Sequence, residues 1–157
     1  MAEILCAIRG GEASRAVQNA AVGAARRAGD RLGFLYVIAL RIIESTDEAL
    51  QPYIRNELYW MGKTVLRTAA NRARIAGLSP VDLLIREGHV SEEIARAVNE
   101  RSVGCLYIGA TRDAVGHIAA QAEHFATQLR ESTGVAVEIV PVPGAPDPAP
   151  QSMEDGE

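Results

Sequence analysis

Along the chain, short apolar runs alternate with longer stretches in which apolar residues recur every three or four positions. The first run, Glu3 to Ile8 (EILCAI), is bounded by Gly10 and Gly11 and reads as a buried strand. Residues 13–28 then place Ala16, Val17, Ala20, Ala21, Ala24 and Ala28 on one helical face, with Gly29 as the stop. A second strand is expected over 31–40. A connector, RIIESTDEALQP, leads to a helix from about 50 to 76. That helix carries Ile54, Leu58, Met61, Val65 and Ala69 at helical spacing, has Pro52 in its first turn and closes at Gly77.

The alternation continues to the end of the pattern. A third strand is expected over 81–86. Ser91 is placed to cap a third helix, with Glu92 and Glu93 in its first turn and Ile94, Ala97 and Val98 facing inward. A fourth strand is expected over 104–109. A fourth helix over 117–132 carries Ile118, Ala122, Phe125, Ala126 and Leu129, and a fifth strand is expected over 135–142. Strands and helices alternating through short loops imply one α/β domain with a doubly wound parallel sheet covered on both faces. The expected domain is 1–142. Residues 143–157 hold four of the seven prolines and are expected to be a disordered tail.

Charge narrows the partners. The tail carries Asp147, Glu154, Asp155 and Glu157 and no base, which leaves 16 acids against 16 bases elsewhere. An electrically balanced domain argues against a nucleic-acid-binding surface. No apolar run is long enough to cross a bilayer, and the start of the chain does not read as a signal peptide, so a cytoplasmic protein is expected. Cys6 and Cys105 lie in apolar strands without a C-x-x-C and read as buried reduced thiols. His89, His117 and His124 have no metal-ligand spacing.

In sheets of this class, ligands sit beyond the C-terminal strand ends at the switch point. The loops after the first and fourth strands are therefore the candidates. The first holds Arg9, Gly10 and Gly11, and the second holds Gly109, Arg112, Gly116 and His117. Val37, near the end of the second strand, completes the set. The glycines permit tight turning and close backbone approach. Free amides at the helix start after Gly116 would attract an anion. Arg9 and Arg112 would hold a phosphate or carboxylate, or else pair with Glu12 and Asp113 at the surface. Neither the dinucleotide fingerprint nor the P-loop is present, and no group stands out as catalytic.

Three blocks of the sequence, in this order and spacing, resemble the universal stress protein family: ILCAIRGGEASRAVQNAAVGAA, RLGFLYVI and EGHVSEEIARAVNERSVGCLYIGA. The likeness covers about residues 3–142. It implies a five-stranded parallel sheet in the order 3-2-1-4-5, Rossmann-like and similar to the adenine nucleotide alpha hydrolases. It also implies a homodimer through the last strand. ATP-binding members carry an Asp after strand one and G-x2-G-x9-G-[ST] after strand four. Here the Asp position is Arg9. Gly109 matches the first glycine, Arg112 stands at the second, and Ala122-Glu123 (Glu123-His124 with a one-residue shift) stands at the third. An arginine blocks close backbone approach, and a glutamate repels a triphosphate.

The resemblance therefore implies a non-catalytic stress-response module with ATP binding lost or weakened, no required cofactor, and a regulatory protein partner besides its own second copy. The alternative is a sensor whose cleft takes ATP, AMP or another anionic nucleotide with magnesium. A third reading, an adenylating enzyme of the PP-loop type, rests on the likeness of RGGEAS to S-G-G-x-D-S. It is weakened because Arg9 and Ala13 replace the Ser and Asp. The long helix concentrates Tyr53, Tyr59 and Trp60, which serve either the core or a partner surface.

Overall fold

The computed structural model describes residues 2–10, 13–111 and 118–142. Five strands form one sheet: β1 (Glu3–Ala7), β2 (Arg31–Ala39), β3 (Val81–Gly88), β4 (Cys105–Thr111) and β5 (Ala136–Val142). All neighbouring pairs are parallel, and the order is β3-β2-β1-β4-β5, as the resemblance implies. Five helices connect them: α1 (Ala13–Ala28), α2 (Leu40–Glu44), α3 (Gln51–Ile75), α4 (Val90–Arg101) and α5 (Ala120–Thr133).

Alternation along the strands sends side chains to two cores. Ile4, Cys6, Leu32 and Phe34 pack with Val17, Ala21 and Ala25 of α1 and with Leu66, Ala69 and Ala73 of α3. Leu5, Leu35, Leu106 and Ile108 pack with Ile94, Ala97 and Val98 of α4 and with Ala126 and Leu129 of α5. The alanines of α1 let that helix lie close to the sheet. On α3, Gly62 does the same: a Cβ there would stand 2.6 Å from the Tyr36 ring and 2.8 Å from Ile85.

That contact corrects the expected stripe of α3. The helix seats Gly62 against Tyr36 and turns Met61 outward, where it is 53% exposed. Similarly, Ala28 is exposed while Ala25 is buried, because the chain leaves the sheet at Gly29, with φ +68°. Ser91 does not cap α4. The chain stays extended through His89, and the helix begins at Val90. The connector after β2 is partly helical: α2 buries Ile43, and the Ser45 and Thr46 hydroxyls donate to the Ile42 carbonyl at 2.9 and 3.1 Å where it ends. Cys6 is buried as expected, but Cys105 is only half-buried. The expected tail, 143–157, lies outside the described residues.

Candidate functional site

The sheet changes direction of winding between β1 and β4, so a crevice is expected beyond their C-terminal ends. Ile8 prolongs the pairing of β1 by donating its N–H to the Leu35 carbonyl at 2.9 Å. Arg9 and Gly10 follow. The Ser14 hydroxyl, buried at the start of α1, accepts the Arg9 N–H at 3.0 Å and donates to the Arg9 carbonyl. One hydroxyl thus closes the β1–α1 turn with both its donor and one acceptor. It is not free to act as a nucleophile or to hold a phosphate.

Continuing the register of Ala7 with Leu35 and of Cys6 with Tyr107 places Arg9 beside Val37, and Ile8 beside Gly109. The structure therefore brings Arg9, Gly10, Val37 and Gly109 to one edge. It does not bring them to one face. Val37 packs into the core under α4 and α5, whereas the open side of Gly109 faces Val17 of α1. Gly11, Arg112, Gly116 and His117 lie outside the described residues.

The two described glycines differ. A Cβ on Gly109 would stand 2.9 Å from Val142 of β5, so packing alone accounts for the small residue. A Cβ on Gly10 would meet Val65 at 3.5 Å, an ordinary contact, and Gly10 is not among the glycines with positive φ. Among the described residues, neither packing nor backbone conformation demands a glycine at position 10. Arg9 is exposed, and its side chain makes no ion pair among the described residues.

The start of α5 differs from the expected one. The helix begins at Ala120, three residues later than the sequence pattern suggests, because Ile118 lies in an isolated bridge and Ala119, at φ −52° and ψ 131°, is outside the helical conformation. The Ala122 and Glu123 amides donate to the Ala119 carbonyl at 3.0 and 3.3 Å. The exposed Glu123 carboxylate sits in this turn, where the helix dipole favours an anion.

Sequence reasoning missed the charged groups that the fold buries. Glu3 is 2% exposed at the start of β1 and accepts from Arg101 Nη2 at 2.6 Å and Nε at 2.9 Å. Arg101 also donates to Asp82 at 2.5 Å, and Arg31 lies 3.8 Å from Glu3. Burial works to lower the Arg101 pKa, but its hydrogen bonds and charge attraction to Glu3 and Asp82 leave it raised. Gly33 makes room: a Cβ there would stand 3.1 Å from Glu3 Oε1. The only sequence signal was an acid opening an otherwise apolar strand. Glu93 is likewise buried, bonded to Arg96 at 2.5 Å and packed against Gly88.

Among the described residues, no buried side-chain nitrogen or oxygen lacks a hydrogen-bond partner, and no three His, Cys, Asp or Glu residues group as a metal site. Burial pushes the Cys6 thiol far up, and burial with the Glu138 charge raises Cys105. Neither is a poised nucleophile. A cavity of about 550 Å³ lined by Arg26, Asp30, Arg31, Ser79 and Asp82 opens at the opposite, N-terminal end of the strands. No described helix is long and apolar enough to cross a membrane.

The sequence profile described as the universal stress protein family matches residues 1–121. Among solved structures, a universal stress protein family member from Burkholderia pseudomallei is similar, with a TM-score of 0.70 and 21% identity over 90% of this chain and 96% of that one. A universal stress protein from Archaeoglobus fulgidus in complex with dAMP has a TM-score of 0.61 and 17% identity, over 89% and 98%. A universal stress protein in complex with cAMP has 0.59 and 18%, over 88% and 95%. None of the curated proteins compared with the chain matches it.

Proposed function

Because the chain belongs to the universal stress protein family, we propose that it is a non-catalytic, homodimeric module of the stress response whose affinity for ATP is lost or weak. The observation that carries this reading is the chemistry of the C-terminal edge. Where ATP-binding members of the family have an Asp, this chain has the exposed Arg9. Its Ser14 hydroxyl is spent on the Arg9 backbone, and Glu123 stands in the first turn of α5. A triphosphate would meet that carboxylate without the family's small residues around it. Among the described residues the buried polar side chains are all satisfied, which favours a scaffold over an enzyme.

β5 supports the dimer. It is an edge strand with one charged residue, Glu138, whereas the other edge, β3, carries Asp82, Arg86 and Glu87. Charges blunt an edge, and an uncharged apolar edge invites another strand. Pro141 lacks an N–H, so pairing runs over residues 136–140. A regulatory protein partner and a cytoplasmic location complete the proposal.

Gly10 favours a second reading. Among the described residues nothing requires a glycine there, and an open backbone beside an exposed arginine suits a smaller anionic nucleotide. The relatives solved with dAMP and cAMP point the same way. Thermal unfolding with ATP, ADP, AMP and cyclic nucleotides, each with magnesium, separates the two. The scaffold predicts no shift with any of them. A shift with a monophosphate alone establishes the sensor, and a large shift with ATP overturns the main reading. Light scattering on a size-exclusion column tests the dimer, which a monomeric mass would refute.

A further inference from the structure

The outer face of α3 carries a patterned stripe that neither the fold nor the candidate site uses. Tyr53, Trp60, Arg67 and Arg74 recur every seven residues and so lie along one side of the helix. Tyr53 is 71% exposed, Trp60 is 54% exposed, and both arginines are exposed. The upper half of the stripe is aromatic and the lower half is basic. Lys63 reinforces it: its Nζ lies 4.9 Å from the Tyr59 ring and 5.4 Å from the Trp60 ring, and the two rings meet edge to face at 6.1 Å. Beyond Glu57, α3 holds four bases and no acid, and neither Arg67 nor Arg74 has an ion pair among the described residues.

The chain beyond β5 has the complementary order. Pro143, Pro146, Pro148 and Pro150 come first, with Asp147 among them, and Glu154, Asp155 and Glu157 come last, with no base among residues 143–157. Proline-rich segments adopt an extended helix that docks on aromatic surfaces, and carboxylates pair with arginines. We propose that residues 143–157 dock along the outer face of α3 of the same chain, prolines against Tyr53 and Trp60 and acids against Arg67 and Arg74.

The lengths agree. β5 ends at the edge of the sheet where α3 begins, and it stands three strands from β2, roughly 14 Å away at strand spacing. Residues 143–150 extended at ~3.1 Å each span about 25 Å, which exceeds the distance across the sheet from β5 to β2. From Pro150 to Glu157 the extended chain covers about 22 Å. From Trp60 to Arg74 the helix rises about 21 Å. Docking Pro150 at Trp60 would set Glu154 beside Arg67 and Glu157 beside Arg74.

Trp60 is the only tryptophan, so its fluorescence reports the contact directly. In the full chain at low salt, Trp60 is expected to be shielded from acrylamide. The shielding should disappear, with a red shift of emission, in the Arg67→Glu/Arg74→Glu variant. High salt should produce the same loss in the unmodified protein, because exposed ion pairs are screened. Adding Asp147→Lys, Glu154→Lys, Asp155→Lys and Glu157→Lys to the double variant should restore the shielding. Equal quenching of the unmodified chain and the double variant, or failure of the charge swap to restore protection, overturns the proposal. Shielding that fades on dilution places the segment on a neighbouring copy and overturns the assignment to the same chain.

Discussion

The two ends of the sheet use charge in opposite ways. At the N-terminal ends of the strands, Glu3 is buried and held by Arg101, which also binds Asp82. The last residue of α4 is thus tied to the first turns of β1 and β3 over the gap that Gly33 leaves. At the C-terminal ends, Arg9 is exposed and has no ion pair among the described residues, and only its backbone is anchored, by Ser14. The first arrangement stabilises, because a buried carboxylate without its cation is costly. The second leaves the Arg9 guanidinium without an ion pair among the described residues. In a doubly wound sheet the ligand crevice lies beyond the C-terminal strand ends, and there the pair of buried Glu93 with Arg96 stands beside β3 rather than at the β1–β4 switch point.

The largest expected effect lies at the N-terminal end of the strands. Arg101→Met leaves Glu3 buried with only Arg31 nearby, and urea unfolding should show a loss of about 3 kcal/mol. A loss below about 0.5 kcal/mol, as for an ordinary surface change, would mean that the clamp is not a stabilising feature.

Next come the two glycines of the open end. Gly109→Ala pushes a methyl to 2.9 Å from Val142 and should cost about 1 kcal/mol, softened because β5 is an edge strand that yields. Gly10→Ala meets only an ordinary contact, and stability should change by no more than about 0.5 kcal/mol. Thermal melts of both variants check the pair. Equal costs would remove the contrast between a glycine kept for packing and one kept open.

The smallest stability effect is expected at Arg9 itself. Arg9→Ala should leave the melting temperature of the free protein nearly unchanged, within about 0.5 kcal/mol. Any stabilisation by a nucleotide monophosphate should vanish in the same variant. If a monophosphate stabilises the Arg9→Ala protein as well as the parent, the open end is not where it binds.

The order of elements was legible because each carries its own period. Val17 and Ala21, Ile94 and Val98, and Ala126 and Leu129 all face inward as their spacing implies. The reading failed where packing, not hydrophobicity, chose the contact. Gly62 displaced Met61 from the core because only a glycine fits under the Tyr36 ring. Arg9, Gly10, Val37 and Gly109 were placed on one edge by topology alone. That Ser14 binds the Arg9 backbone, and that Gly109 answers to Val142, depends on neighbours from other elements.

By itself, then, the sequence determined the strand and helix periods, the two-faced parallel sheet and the loss of the family's ATP markers, because those are local properties of residue type and spacing. Only the tertiary structure decided the Glu3–Arg101–Asp82 cluster, whose members lie at positions 3, 82 and 101 and meet because β1, β3 and α4 converge at one end of the sheet. It also decided which glycines serve packing and which aromatics stay exposed. Those depend on how closely two elements approach, and a one-dimensional pattern does not carry that distance.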